Sequence, residues 1–256
     1  MARNINQLHP WMQYKIYLLK KECKKQGLQL GIGECFRSVK EQEDLYAKGR
    51  STPGKIVTNA RGKFFSSQHQ WGIAVDIFQN IRGKEYEDAF MKKVAKIAKS
   101  KKVGLSWGGD WKSPVDTPHF YLGKWGSTPS LLKKKYGSFS EFQKEWAAVT
   151  KKNCKLWKQK NLRKSKKIKK VPAGSKVAVL YVSKLGYAKI RYQGKYGYIF
   201  RSAPGQNKRL LDPDPHLRQS HPPLEEDGEP AYPAVPDSAS RGLKYRYPLT
   251  GHNLLR

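Results

Sequence analysis

The chain has 256 residues, 38% of them hydrophobic and 12% aromatic, with 51 Lys and Arg against 20 Asp and Glu for a net charge of +31. That apolar content supports a packed core and excludes wholesale disorder, and the length suits one large or two small domains. No stretch reaches the roughly 20 apolar residues of a membrane-spanning helix, so membrane insertion is not expected. Cys23, Cys35 and Cys154 are odd in number, far apart and without a C-x-x-C pair. They point neither to a disulfide framework nor to a cysteine metal site.

The charge is unevenly spread. Residues 1–150 carry 27 basic and 13 acidic side chains, residues 151–200 carry 16 basic and no acidic ones, and residues 201–256 are nearly balanced. In chain order, Met12, Ile16, Leu19 and Cys23 recur at helical spacing and predict a helix over about 10–26, stopped by Gly27. Ser38 with Glu41 three residues later forms a capping-box pattern for a second helix, ending near Lys48. Residues 72–78 read as a strand, 84–101 as a third helix, and 104–126 as a loop rich in Gly and Trp. The fold class expected is α+β.

Two short segments carry the chemistry. In the strand, Val75 and Ile77 share one face while Ala74, Asp76 and Phe78 share the other. A carboxylate at Asp76 is costly unless a positive group pairs with it. His69 lies just before Gly72, which lets the chain turn so that imidazole and carboxylate can converge. In the second segment, Asp116-Thr117-Pro118-His119, a proline stiffens the turn between a carboxylate and an imidazole. Taken singly, each histidine is an ordinary hydrogen-bonded residue and each aspartate a turn or cap. Of six histidines, only these two stand beside an Asp in a Gly-flanked setting. Two imidazoles and a carboxylate match the ligand set of a catalytic zinc site with its fourth position open to water.

The segment Ser67 to Asp76 fits the pattern S-x-H-x-x-G-x-A-x-D and resembles the zinc peptidases that include D-alanyl-D-alanine carboxypeptidases and the L-alanyl-D-glutamate endopeptidases of phage endolysins. Gly108-Gly109-Asp110-Trp111, Asp116-x-x-His119-Phe120 and Phe36-Arg37-Ser38 with Gln42, Leu45-Tyr46 and Gly49-Arg50 resemble the endopeptidase branch. The resemblance implies a small antiparallel sheet flanked by helices. It also implies one zinc ion held by His69, Asp76 and His119, Asp116 as general base and Arg37 as the cation facing the developing oxyanion. Ser67 is implied to bind substrate or orient a ligand, and Gln42 to bind substrate or support Arg37. Such enzymes usually carry Glu at the position of Asp116 when they are carboxypeptidases and Asp when they are endopeptidases. The implied reaction is therefore hydrolysis of the L-Ala–D-Glu bond of the peptidoglycan stem. Trp107, Trp111 and Trp125 are candidates for cleft walls or for core.

Beyond this region, residues 156–163, 176–183, 186–192 and 195–200 read as strands, the last two joined by a Gln193-Gly194 turn. Val171-Pro172-Ala173-Gly174-Ser175 and Gly194-Lys195-Tyr196-Gly197-Tyr198 make this part similar to the bacterial Src-homology-3-like wall-binding modules, which implies a small all-β barrel. Five lysines within 164–170, with Tyr181, Tyr187, Tyr192, Tyr196 and Tyr198, also suit a nucleic-acid surface. Residues 204–256 hold nine of 15 prolines and are expected to be disordered.

The organisation expected is a zinc peptidase domain over 1–135, a linker over 136–153, a wall-binding domain over 154–203 and a Pro-rich tail over 204–256. The partners expected are the stem peptide and an anionic cell wall, with no nucleic acid, and the protein is expected to act as a monomer. The first 19 residues lack the apolar region of a signal peptide, which fits a lysin held in the host cytoplasm until the membrane is permeabilised. The alternatives are a D-alanyl-D-alanine carboxypeptidase and a noncatalytic basic protein that binds wall or nucleic acid.

Overall fold

Helix α1 (Pro10–Lys25) forms where the apolar spacing predicts it. Met12, Ile16, Leu19 and Cys23 are buried along one face. Burial of each of the first three side chains contributes about 1.5–3 kcal/mol. Pro10 occupies the first turn, and His9 Nδ1 caps it by accepting from Trp11 N–H at 3.0 Å. At the other end the positive φ of Gly27 lets the chain leave the helix. The capping box of α2 (Val39–Ala47) is present on both sides: Ser38 Oγ accepts from Glu41 N–H, and the Glu41 carboxylate accepts from Ser38 N–H. The third helix, α3 (Asp88–Lys99), starts four residues later than expected, and turns precede it, with Lys84 N–H donating to Ile81 O and Glu87 N–H to Lys84 O.

The computed structural model describes residues 4–161, 165–183, 186–200 and 211–213. Its first sheet has strands β1 (Leu30–Ile32), β2 (Ala74–Gln79), β3 (Ser106–Trp107) and β4 (His119–Tyr121), all antiparallel in the order β1-β2-β4-β3. The segment expected as a loop over 104–126 thus supplies two short strands. Val75 and Ile77 face a core shared with α1 and α3, in which Trp71, Phe120 and Phe142 are fully buried. Among the described residues, no helix is long and apolar enough to cross a membrane.

Residues 136–153, expected as a linker, carry ordered elements. Helices α4 (Ser130–Tyr136) and α5 (Phe139–Gln143) place Leu132, Phe139 and Phe142 in the first core, and β5 (Ala147–Thr150) opens the second sheet. That sheet continues with β6 (Cys154–Trp157), β7 (Lys167–Val171), β8 (Lys176–Val182), β9 (Tyr187–Tyr192), β10 (Lys195–Phe200) and β11 (Leu211–Pro213). Its order is β11-β5-β8-β9-β10-β6-β7. The lysine-rich run is partly a strand, since Lys167, Lys169 and Lys170 of β7 pair with β6 while remaining exposed. Gln193 and Gly194 both have positive φ, the geometry of the tight turn predicted between β9 and β10.

A closed barrel is not formed. The edge strands β7 and β11 have no pairing with each other among the described residues. Among the described residues, side-chain and turn contacts join the two sides, with Thr150 Oγ1 donating to Pro172 O at 2.7 Å and Thr150 O accepting from Gly174 N–H. Of the tail expected to be disordered, 211–213 pairs with β5 and the rest lies outside the described residues.

The second sheet rests directly on α1. Trp11 meets Tyr181 with ring centroids 4.3 Å apart, Tyr14 meets Tyr196 at 4.7 Å, and Arg191 donates to Gln13 Oε1 at 3.0 Å.

His9 is enclosed by Trp125, Phe142 and Trp146, and burial, aided by Lys124, pushes its pKa down to about 3. The unfolded chain therefore takes up a proton near pH 6.5 that the folded chain resists. Stability attributable to His9 is expected to fall by about 1.4 kcal/mol per pH unit as pH drops from about 6.5 towards 3. His9→Asn keeps a cap acceptor, so its unfolding free energy should fall less steeply than wild type between pH 6 and 4. Equal slopes in denaturant titrations would contradict this origin.

Candidate metal centre and active site

Each functional side chain is placed by a different local device. His69 sits in a short 3-10 turn, Gln68–Trp71, started by Ser67, whose Oγ accepts from His69 N–H at 3.3 Å. Gln70 returns its side-chain oxygen to Ser67 N–H, and Gly72, at φ +62°, ends the turn and feeds β2. Asp76 and His119 are cross-strand partners in the β2–β4 register. Asp116 stands on the loop before β4, and Gly108 lets that loop approach. A Cβ on Gly108 would lie 2.5 Å from Asp116 O and 3.0 Å from His119 Cβ.

His69 Nε2, His119 Nδ1 and Asp76 Oδ1 converge. The two nitrogens are 3.1 Å apart, and the carboxylate oxygen is 3.3 Å from His69 Nε2 and 3.2 Å from His119 Nδ1. The outward nitrogens decide the tautomers. His69 Nδ1 is 2.7 Å from the carbonyl oxygen of Cys35, which can only accept. Gln68 Nε2 donates to Gly126 O at 3.0 Å, so Gln68 Oε1 faces His119 Nε2 at 2.7 Å as an acceptor. Both outward nitrogens therefore carry the proton, leaving three lone pairs aimed at one point. Such a cluster repels itself unless a proton or a cation sits within it. A tetrahedral zinc with arms of about 2.0 Å would set its ligand atoms about 3.3 Å apart, and these three fit that spacing.

The charges agree. Burial alone would raise the Asp76 carboxyl, but His69 and His119 outweigh it and hold the group well below the usual carboxylate range. Burial works against protonating His69, and Asp76 overcomes this, so the imidazole ends above its ordinary value. Burial, then the charge of Asp76, pushes the Asp116 carboxyl upward, with His119, His69 and Arg37 opposing. Burial also pushes the Cys35 thiol up to about 12, and the converging cluster contains no thiol, so Cys35 meets the site through its carbonyl.

Arg37 is buried beside the site, with its backbone N–H directed to His69 O. Its guanidinium is gripped by the Glu34 carboxylate through Nε, at 2.9 Å, and Nη2, and donates through Nη1 to Gln42 Oε1 at 2.6 Å. Gln42 is fully buried, and its amide nitrogen is spent on Thr58 Oγ1 and Ala60 O. Gln42 thus supports Arg37, and Ser67 orients His69.

Glu34, Gln68 and the carbonyl of Cys35 were not singled out from the sequence. Gln68 was visible as the neighbour of His69, but its partner is 51 residues away. Of the three tryptophans, Trp111 lies over His119 at 5.1 Å, and Trp107 donates Nε1–H to Thr117 O, bracing the loop of Asp116. Trp125 belongs to the core.

A family profile described as D-alanyl-D-alanine carboxypeptidase matches residues 60–122, the span that contains His69, Asp76, Asp116 and His119. The chain is 36% identical over 126 residues to the peptidoglycan L-alanyl-D-glutamate endopeptidase CwlK of Bacillus subtilis (strain 168), covering 45% of this chain and 73% of that protein. Among solved structures it is similar to the L-Ala D-Glu endopeptidase ChiX of Serratia marcescens, at 25% identity and a TM-score of 0.36, over 46% of this chain and 83% of that one. The chain belongs to the M15 peptidase family.

Because Gln68 fixes the donor face of His119, Gln68→Leu should weaken zinc binding by about 10–100-fold while leaving the fold intact. Competition with a chromophoric chelator measures this. Unchanged affinity would show that the tautomer of His119 is set elsewhere.

Proposed function

We propose that the protein is a zinc-dependent endopeptidase that hydrolyses the L-Ala–D-Glu bond of the peptidoglycan stem peptide. The observation that carries the reading is the convergence of His69 Nε2, Asp76 Oδ1 and His119 Nδ1 with the Asp116 carboxyl beside them. The activity named for CwlK supplies the scissile bond. Zinc held by these three side chains would supply a Lewis acid for the scissile carbonyl and an acidified water.

The remaining work falls to this chain. Asp116, already biased towards holding a proton, takes one from the attacking water on its carboxylate and returns it to the leaving amine of D-Glu. Arg37 faces the charge developing on the carbonyl oxygen. Its pair with Glu34 fixes the plane of the guanidinium and lowers the net charge it presents. Trp111 limits how a stem peptide can lie over His119. The second sheet, with 16 basic and no acidic residues over 151–200, is assigned to wall adhesion, and the whole to a lysin that degrades the wall from a host cytoplasmic pool.

Digestion of purified peptidoglycan, followed by mass spectrometry, tests the reading. New N-terminal D-Glu is expected, and release of free D-Ala instead would establish the carboxypeptidase alternative. Asp116→Asn should lower kcat by about 10²–10⁴-fold with little change in KM. Chelation should abolish activity and added zinc restore it.

A further inference from the structure

Outside the metal centre, the most coherent unassigned feature is a groove of about 820 Å³ between α1 and the edge of β9 and β10. Its floor includes Gln13 and Ile16, and its cations are Lys20, Lys21, Lys24 and Arg191. The spacing of Gln13, Tyr17, Lys20, Lys21 and Lys24 places them on one side of α1, opposite the buried row of Met12, Leu19 and Cys23. The three lysines are exposed, and among the described residues no carboxylate lines the groove. Glu22, the one acidic residue of α1, is engaged by Lys25 at 3.3 Å and Lys102 at 2.7 Å. Arg191 is held in place by Gln13, so its guanidinium is preorganised across the junction of the two parts of the molecule.

We propose that this groove binds a linear polyanion of the cell wall, a phosphodiester-linked polyol chain, and that both parts of the molecule build the site together. The inference rests on the wall-directed reading above. Four cations without carboxylate partners in the groove attract repeating phosphates in a salt-dependent way. The aromatic residues favour a polyol over a nucleic acid. Base stacking needs a free ring face. Here Tyr14, Tyr17 and Tyr196 pack ring to ring at 4.7–6.4 Å and Lys189 covers Tyr14 at 3.9 Å, so the half-exposed Tyr17 is the one ring of the three that is well open to solvent, where a run of bases would need several. What the groove offers a ligand is ammonium, guanidinium and hydroxyl groups.

The test uses the full chain and measures binding of purified poly(glycerol phosphate) as a function of salt. The triple variant Lys20→Gln, Lys21→Gln, Lys24→Gln is compared with Lys92→Gln, Lys93→Gln, Lys96→Gln, which removes the same charge from exposed positions of α3. The groove variant should bind at least tenfold more weakly, with a shallower dependence on log salt, and the α3 variant within threefold of wild type. Equal losses in both variants would reduce the effect to net charge and overturn the proposal. Equal or tighter binding of single-stranded DNA of the same phosphate number would assign the groove to nucleic acid and overturn it too. Hydrolysis of a soluble stem peptide, expected to be unchanged in the groove variant, is read separately. Failure of wild type to cleave would count against the peptidase reading alone, because polymer binding is measured without catalysis.

Discussion

A partly buried carboxylate on a strand is the constraint on which the site depends. Asp76 cannot sit on β2 without compensation, and the structure meets the demand from two directions. The antiparallel register with β4 sets His119 across from it, and the turn ended by Gly72 brings His69 from the preceding segment. Neither imidazole is free to choose its tautomer, because Cys35 O and Gln68 Oε1 accept the outward protons. The three remaining lone pairs have no partner but one another. The stable arrangement is one with a proton or a cation among them, so the three side chains are set up to receive a metal ion before any substrate arrives.

The same logic extends one layer outward. Arg37 would place a bare cation next to that centre if Glu34 did not pair with it, and Gln42 completes the grip from α2. Asp76 N–H donates to Glu34 O, and Gly33 N–H donates to Asp76 O, so the segment that carries Glu34 is itself hydrogen-bonded to the strand of the metal ligand. Ligand, counter-ion and cation are thereby fixed by one stretch of backbone.

What the sequence made legible was local. The apolar spacing of α1, the capping box of α2, the turn at Gln193-Gly194 and the motif around His69 and Asp76 are set by residues within a few positions of each other. What it hid depends on pairing across the fold. Gln68 meets His119 across 51 residues, and Cys35 O meets His69 across 34. Such contacts leave no periodic signal. Residues 136–153 read as a linker between two regions that carry recognisable motifs. Yet Phe139, Phe142 and Trp146 find the aromatic cluster around His9 and become core. The barrel expectation came from resemblance in short segments, and strand order, a long-range property, came out open.

The proposed metal centre consists of two imidazoles and one carboxylate, with no thiol. X-ray absorption at the zinc edge of the loaded protein tests it most directly. One zinc per chain is expected, bound by nitrogen and oxygen only, at about 2.0 Å, with two imidazoles among its ligands. A sulfur neighbour at about 2.3 Å, or a chain that takes up no zinc stoichiometrically, would contradict it.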